Sequence, residues 1–211
     1  MLHVYGYPNT RSQRVVWALE EVGATYEYHP VNLLAGDGRQ PDYLALNPGG
    51  KVPTLVDGEL ILSESAAICT YLGDRFPSSG LTPPAGSVER ALYNQWCFFI
   101  LSELEQPLWT ITKHRFALPE KRRVPAIFNT AHWEWGVAAR VLATGLGERT
   151  FLVGERFTVA DLLAAHTLAW ARAFAMPFGH ATLETYADRL LERPARAQAV
   201  EREQGIAPLV E

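Results

Sequence analysis

The chain has 211 residues, of which 48% are hydrophobic, and a formal net charge of −4. That is enough apolar material for one large domain or two small ones and excludes a disordered chain; the acidic balance argues against nucleic acid as a partner. Cys69 and Cys97 are the only cysteines; with no C-x-x-C they read as two reduced structural thiols, neither a dithiol redox motif nor a disulfide framework.

Met1 leads directly into the strand Leu2-His3-Val4-Tyr5. No apolar leader is visible and no apolar run approaches bilayer-spanning length, so the expectation is a reducing cytoplasm and no membrane contact. Gly6 to Arg11 is a turn. From Ser12 to Val22 the spacing of Val15, Val16, Leu19 and Val22 predicts a helix, with Glu20 and Glu21 on its solvated face and Gly23 ending it. Thr25 to Val31 reads as a strand with Tyr26 and Tyr28 on one face and Glu27 and His29 on the other. Residues 33–40 form a loop, and Pro41 to Leu46 one or two helical turns.

The stretch Asn47 to Ser65, NPGGKVPTLVDGELILSES, is the most informative in the chain. Asp57-Gly58 between two short apolar runs predicts a hairpin. Pro53 opens the first run, where a missing backbone donor does least harm and where a cis bond suits a tight functional turn. Ser65 is an N-cap candidate for the helix to about Arg75. A helix N-terminus beside the carboxylate of Glu64 can hold a ligand that carries both an anion and a cation. The order β-α-β-α-β-β-α predicts a small α/β unit with a mixed sheet.

The proline- and glycine-rich residues 77–86 separate this half from an entirely helical one. A long helix is expected from Val88 to about His114, with Leu92, Trp96, Phe99, Ile100 and Leu104 on one stripe and a kink at Pro107. The next runs from Pro119 or Val124 to Leu142 and is ended by Gly145 and Gly147. Thr158-Val-Ala-Asp161 is a capping box, flanked by Phe157 and Leu162 as a hydrophobic staple, and predicts a buried helix over residues 159–172. Two weaker helices cover 183–192 and 194–203. The six histidines show no metal-ligand spacing, so no metal is expected.

Together these segments resemble the cytosolic glutathione S-transferase family. The resemblance is carried by Asn47-Pro-Gly-Gly-Lys-Val-Pro53, Leu55-Val-Asp-Gly58, Glu64-Ser-Ala-Ala-Ile68, Phe151-Leu-Val-Gly-Glu-Arg-Phe-Thr-Val-Ala-Asp161 and Glu192-Arg-Pro-Ala195. The opening Asn9-Thr-Arg-Ser-Gln-Arg-Val15 is similar to the bacterial and fungal theta-like branch. The resemblance implies a thioredoxin-like glutathione domain over residues 1–76, a linker over 77–86, and an all-helical domain over 87–211 with an electrophile-binding face. It also implies a cytoplasmic homodimer.

By similarity, the backbone of Val52, turned outward by a cis Pro53, pairs with the cysteinyl part of glutathione as an added strand. Ser65 holds the γ-glutamyl carboxylate and Glu64 the ammonium; Lys51, Arg39 and Gln40 serve the glycyl carboxylate. The thiolate, not the thiol, is the nucleophile, and the free thiol has a pKa of about 8.5. A donor in the turn opening the first helix would lower it. Alignment through Gly6-Tyr7-Pro8 makes this Thr10, and alignment back from Arg14-Val15 makes it Asn9. Ser12, which also reads as the helix cap, is the third candidate, and Arg11 would act electrostatically. The tyrosine-type pattern fits Tyr5 and Tyr7 poorly, and no cysteine precedes Cys69. The electrophile is expected between the halves, with Tyr7, Glu103, Pro107 and Trp109 lining it. The implied activity is attack of glutathione on a small apolar electrophile, with peroxide or disulfide reduction as further outlets. A glutathione-binding regulatory or scaffold protein of the same fold is the alternative.

Overall fold

The computed structural model describes residues 1–204; residues 205–211, the end of the helical half expected from the sequence, lie outside the described residues. The described residues form two compact units, one of residues 1–82 with 192–204, the other of Pro83–Leu191. The first therefore includes a helix from the far end of the chain, which the sequence reading had placed with the helical half.

The first unit is built on a four-stranded sheet of order β2-β1-β3-β4. Its strands are β1 (Leu2–Gly6), β2 (Tyr26–Pro30), β3 (Thr54–Asp57) and β4 (Leu60–Ser63), with helices α1 (Ser12–Val22), α2 (Pro41–Leu46) and α3 (Ser65–Arg75). β2 runs parallel to β1, and β3 antiparallel to both β1 and β4. Period-two alternation sends Leu2, Val4 and Tyr28 into the core under α1 and α3 and leaves His3, Tyr5, Glu27 and His29 on the opposite face. Val15, Val16 and Leu19 of α1 are fully buried, as their spacing requires. Gly23, at φ 65°, terminates α1 in the left-handed region that a side chain disfavours.

Ser12 and Ser65 were expected as helix caps. Each is instead the first helical residue, with Arg11 and Glu64 in the cap positions and no side-chain cap bond at either. Both hydroxyls are thereby released for contacts outside their own helices. Glu20 and Glu21 are not solvated either. Glu20 accepts from the Tyr26 hydroxyl at 2.5 Å, and Glu21 is held by Trp17 Nε1 at 2.9 Å and by Arg193 at 2.6 and 2.7 Å. The cause is α9 (Pro194–Gln204), which packs on α1 and covers that face.

The second unit contains α4 (Val88–Phe99), α5 (Glu105–Thr112), α6 (Ile127–Leu146), α7 (Val159–Ala173) and α8 (Ala181–Leu191). The single long helix expected over 88–114 is divided by a π-helical segment, Ile100–Leu104. The irregular turn lies immediately before Pro107, whose ring excludes a regular helical turn onto the Glu103 carbonyl four residues earlier. The buried row is Tyr93, Trp96, Cys97, Ile100 and Leu104, whereas Leu92 is 41% exposed. Gly145 does not end α6 but lies inside it, and a Cβ there would come within 2.1 Å of the Trp96 ring; close approach of the indole, not a turn, requires this glycine. Gly147, at φ 56°, does end the helix.

The capping box is formed as expected. Asp161, fully buried, accepts from the Leu152 and Thr158 amides at 2.8 and 2.9 Å, the Thr158 hydroxyl at 3.0 Å and the Tyr186 hydroxyl at 2.7 Å. Both staple residues, Phe157 and Leu162, are buried. Cys69 and Cys97 are buried thiols, and burial pushes the Cys97 thiol up to about 12.

Candidate functional site

Strand register brings three separate segments to one end of the sheet. Tyr5 pairs with Thr54, and Thr54 with Ser63. The turn after β1, the segment before β3 and the segment after β4 must therefore emerge side by side. These are residues 7–12, 50–53 and 64–65, which hold most of the glutathione-site residues expected from the sequence.

In the first segment, Asn9 is exposed and adopts φ 59°, a left-handed conformation that asparagine tolerates better than most residues. Thr10 donates to the Tyr7 carbonyl at 2.6 Å, accepts from the Ser12 amide at 3.2 Å, and places its hydroxyl 2.9 Å from that of Ser12. The Ser12 hydroxyl, fully buried, accepts from the Tyr7 amide at 3.0 Å and lies 2.8 Å from the Tyr7 carbonyl and 2.7 Å from Glu203 Oε1. Gly6 is obligatory beneath it, since a Cβ there would lie 2.7 Å from Ser12 Cβ and 2.8 Å from the Tyr28 hydroxyl. Of the three candidate donors, Ser12 and Thr10 both hold the turn, Ser12 fully buried and Thr10 half-buried, and Asn9 is exposed.

Glu203 is a member of this network that sequence reasoning missed. It lies on α9, is 1% exposed, and accepts from Ser12 and, at 3.3 Å, from Tyr28 through Oε1. Its Oε2 is buried with no hydrogen-bond partner among the described residues. Burial, only partly offset by the two hydroxyl donors, lifts the carboxyl from 4.5 to about 7.

In the second segment the Val52-Pro53 bond is cis. Val52 lies just outside the β3 ladder, which begins at Thr54. The loop before it is locked from below. The Lys51 carbonyl accepts from Tyr43 at 2.6 Å and Asn47 at 2.8 Å, while the Asn47 Oδ1 accepts from the Gly49 amide at 3.0 Å. Gly50, at φ 59°, packs so closely on Gly38 that a Cβ would sit 2.5 Å from its carbonyl, and the Arg39 guanidinium lies 2.9 Å from the same point. Arg39 and Lys51, the two expected cations, are therefore on adjoining loops, both exposed, with Gln40 beside Arg39.

In the third segment, Glu64 is exposed at φ 69°, a conformation that costs a non-glycine residue roughly 1–3 kcal/mol. It turns the chain so that Ser65 enters α3 at 4% exposure. The Ser65 hydroxyl accepts from Arg14 Nη1 at 3.3 Å. Arg14, fully buried on α1, is a second residue that the sequence reading did not single out. A buried guanidinium beside a helix N-terminus favours a carboxylate at that point.

Of the residues expected on the electrophile side, Tyr7 is half-buried in the first segment. Glu103, Pro107 and Trp109 belong to the second unit. Glu103 is exposed on the π-helical segment, and the buried acid of this region is Glu105, 4% exposed. Pro107 is buried and Trp109 half-buried.

Comparisons with known proteins place the chain in a family. The N-terminal domain of glutathione S-transferase matches residues 1–74 and its C-terminal domain residues 134–194. A zeta-class glutathione S-transferase of Euphorbia esula is 36% identical over 76% of this chain and 72% of its own length. Glutathione S-transferase Z2 of Arabidopsis thaliana is 30% identical over 98% and 94%. Among solved structures, a glutathione transferase homolog from Lodderomyces elongisporus with two GSH per subunit superposes with a TM-score of 0.86 at 25% identity, covering 95% of this chain and 98% of that one. BphK, a bacterial GST solved as a ternary complex, gives 0.85 at 28% identity over 96% and 99%. The chain belongs to the glutathione S-transferase family of enzymes. These relatives include plant zeta-class, fungal and bacterial proteins, a coarser placement than the theta-like branch expected from residues 9–15.

Proposed function

We propose that the first unit binds glutathione across the three segments and lowers the pKa of its thiol for attack on a small apolar electrophile. The observation that carries this reading is their convergence at one sheet end. Each chemical group of the tripeptide then has a counterpart. Val52 offers main-chain groups to the cysteinyl unit beside the cis Pro53. Ser65, backed by Arg14, takes the γ-glutamyl carboxylate and Glu64 the ammonium. Arg39, Lys51 and Gln40 receive the glycyl carboxylate. Thr10, its hydroxyl turning from the Tyr7 carbonyl to the sulfur, is the thiolate's donor, Ser12 positions it, and Arg11 adds positive potential; Asn9 supplies the left-handed bend that aims the turn. Tyr7 borders the electrophile. The same thiolate can reduce a peroxide or a disulfide; no metal takes part.

The test is the ultraviolet thiolate absorbance of bound glutathione, titrated against pH. A pKa well below about 8.5 is expected, and Thr10→Ala should raise it while leaving affinity nearly intact. A wild-type pKa that is not lowered would refute thiol activation. A lowered value unmoved in the variant would transfer the donor role to another residue of the turn.

We also propose a homodimer. Val88, Leu92 and Phe98 on α4 and Trp133, Val137 and Val141 on α6 are apolar and 38–74% exposed. The α6 residues recur every four positions and so form one stripe, the kind of face that a second copy would cover.

A further inference from the structure

His3, Glu27 and His29 form a three-donor cluster on the sheet face opposite α1. We propose that it is a binding site for a single zinc ion or a similar divalent transition metal, independent of the glutathione site. The strand register builds it. His3 is the direct ladder partner of Glu27, and His29 lies two residues further along β2, on the same face. Tyr5, opposite His29, stacks on its ring with centroids 4.7 Å apart and planes 18° from parallel, which restrains that imidazole.

The spacing of the donor atoms suits a tetrahedral ion. His3 Nδ1 is 3.1 Å from His29 Nε2, and the Glu27 carboxylate oxygens lie 3.4 Å from the first and 3.6 Å from the second. Zinc bonds of about 2.1 Å place neighbouring tetrahedral ligands about 3.4 Å apart. Glu27 turns Oε2 toward His3 and Oε1 toward His29, and one ligand atom from each of the three residues falls within 4.8 Å of the others, so a modest rotation of the carboxylate brings one oxygen to the third corner of such a tetrahedron. Two imidazoles and one carboxylate are a donor set that zinc favours over calcium or magnesium. The side chains are 34%, 31% and 55% exposed, so an ion can enter from solvent and keep water as a fourth ligand. Bound there, it would tie the edge strand β2 to β1 through side chains as well as through the backbone ladder.

The experiment uses the full chain without a histidine tag, stripped with a chelator and titrated calorimetrically with zinc chloride. Glutathione is omitted because its own thiol and carboxylates bind zinc. The expected result is saturable one-to-one binding at micromolar zinc and a higher melting temperature on addition of the ion. His3→Gln and His29→Gln should each weaken binding by at least the roughly 10–100-fold that loss of a ligand's outer-shell partner costs, with Glu27→Gln weakening it less. Glutathione affinity should be unchanged in all three, so loss of zinc binding and loss of the glutathione reading can be told apart. Absence of saturable binding, or binding that is the same in the three variants, would overturn the proposal.

Discussion

Ser65 is 4% exposed, and its hydroxyl meets Arg14 rather than the helix it opens. Ser65→Ala should therefore cost little helix stability and weaken glutathione binding by about 1–3 kcal/mol, the range for a hydrogen bond to a charged group. Equilibrium titration of the variant checks this, and an affinity equal to wild type would remove Ser65 from the site. Glu203 poses a different question, because its folded-state pKa is raised from 4.5 to about 7. The folded protein then holds this proton more tightly than the unfolded chain does. Its contribution to stability is full below pH 4.5, declines as pH rises through the interval, and is lost above about 7, a difference of about 3 kcal/mol. Glu203→Gln should flatten that decline, as measured by urea denaturation at pH 5 and pH 8; parallel pH dependence in the two proteins would show that another group carries it. The residues of the proposed glutathione site could be picked out in the sequence where they sit inside one contiguous motif, as Lys51 to Pro53 and Glu64-Ser65 do. Arg14 and Glu203 were not, because nothing local marks a buried charge whose partner lies 51 or 191 residues away.

Elements were legible where period and punctuation agreed, and less so where packing overruled them. The Asp57-Gly58 hairpin and the Thr158 capping box rest on local chemistry and formed as read. The division of residues 88–112 was legible only as a kink at Pro107; that the turn before the proline takes a π-helical form has no local signature of its own. Gly145 was read as punctuation, yet it lies within α6 where the Trp96 ring approaches the backbone. Gly145→Ala sets two effects against each other. Helix propensity gains about 1 kcal/mol, while a Cβ 2.1 Å from a buried indole incurs overpacking of about 1–3 kcal/mol. A net loss of about 0–2 kcal/mol is expected from thermal or chemical denaturation; a stabilised variant would mean that Trp96 moves aside freely. The cluster of His3, Glu27 and His29 escaped notice for another reason: parallel strand pairing, not sequence spacing, assembles it.

For the molecule as a whole, the exposed apolar stripe on α6 bears on assembly. Trp133 is 70% exposed, so Trp133→Glu should leave the monomer folded and shift a micromolar sample from dimeric to monomeric mass in light scattering. A wild-type protein that is already monomeric would remove the dimer proposal. Composition and punctuation gave the two-part division of the chain, but they could not show that α9 returns to α1. That return imposes an order on biosynthesis. Residues 1–82 leave the ribosome before the second unit does, yet the Ser12–Glu203 bond of the first unit joins positions 191 apart. At about 5–20 residues per second, roughly 10–40 s pass between the emergence of the two ends. Throughout that interval the nascent sheet and α1 lack their last helix, whereas Pro83–Leu191 is already complete as a contact unit. The part of the enzyme translated first is therefore finished last, and it is there that a chaperone would find exposed apolar surface to hold.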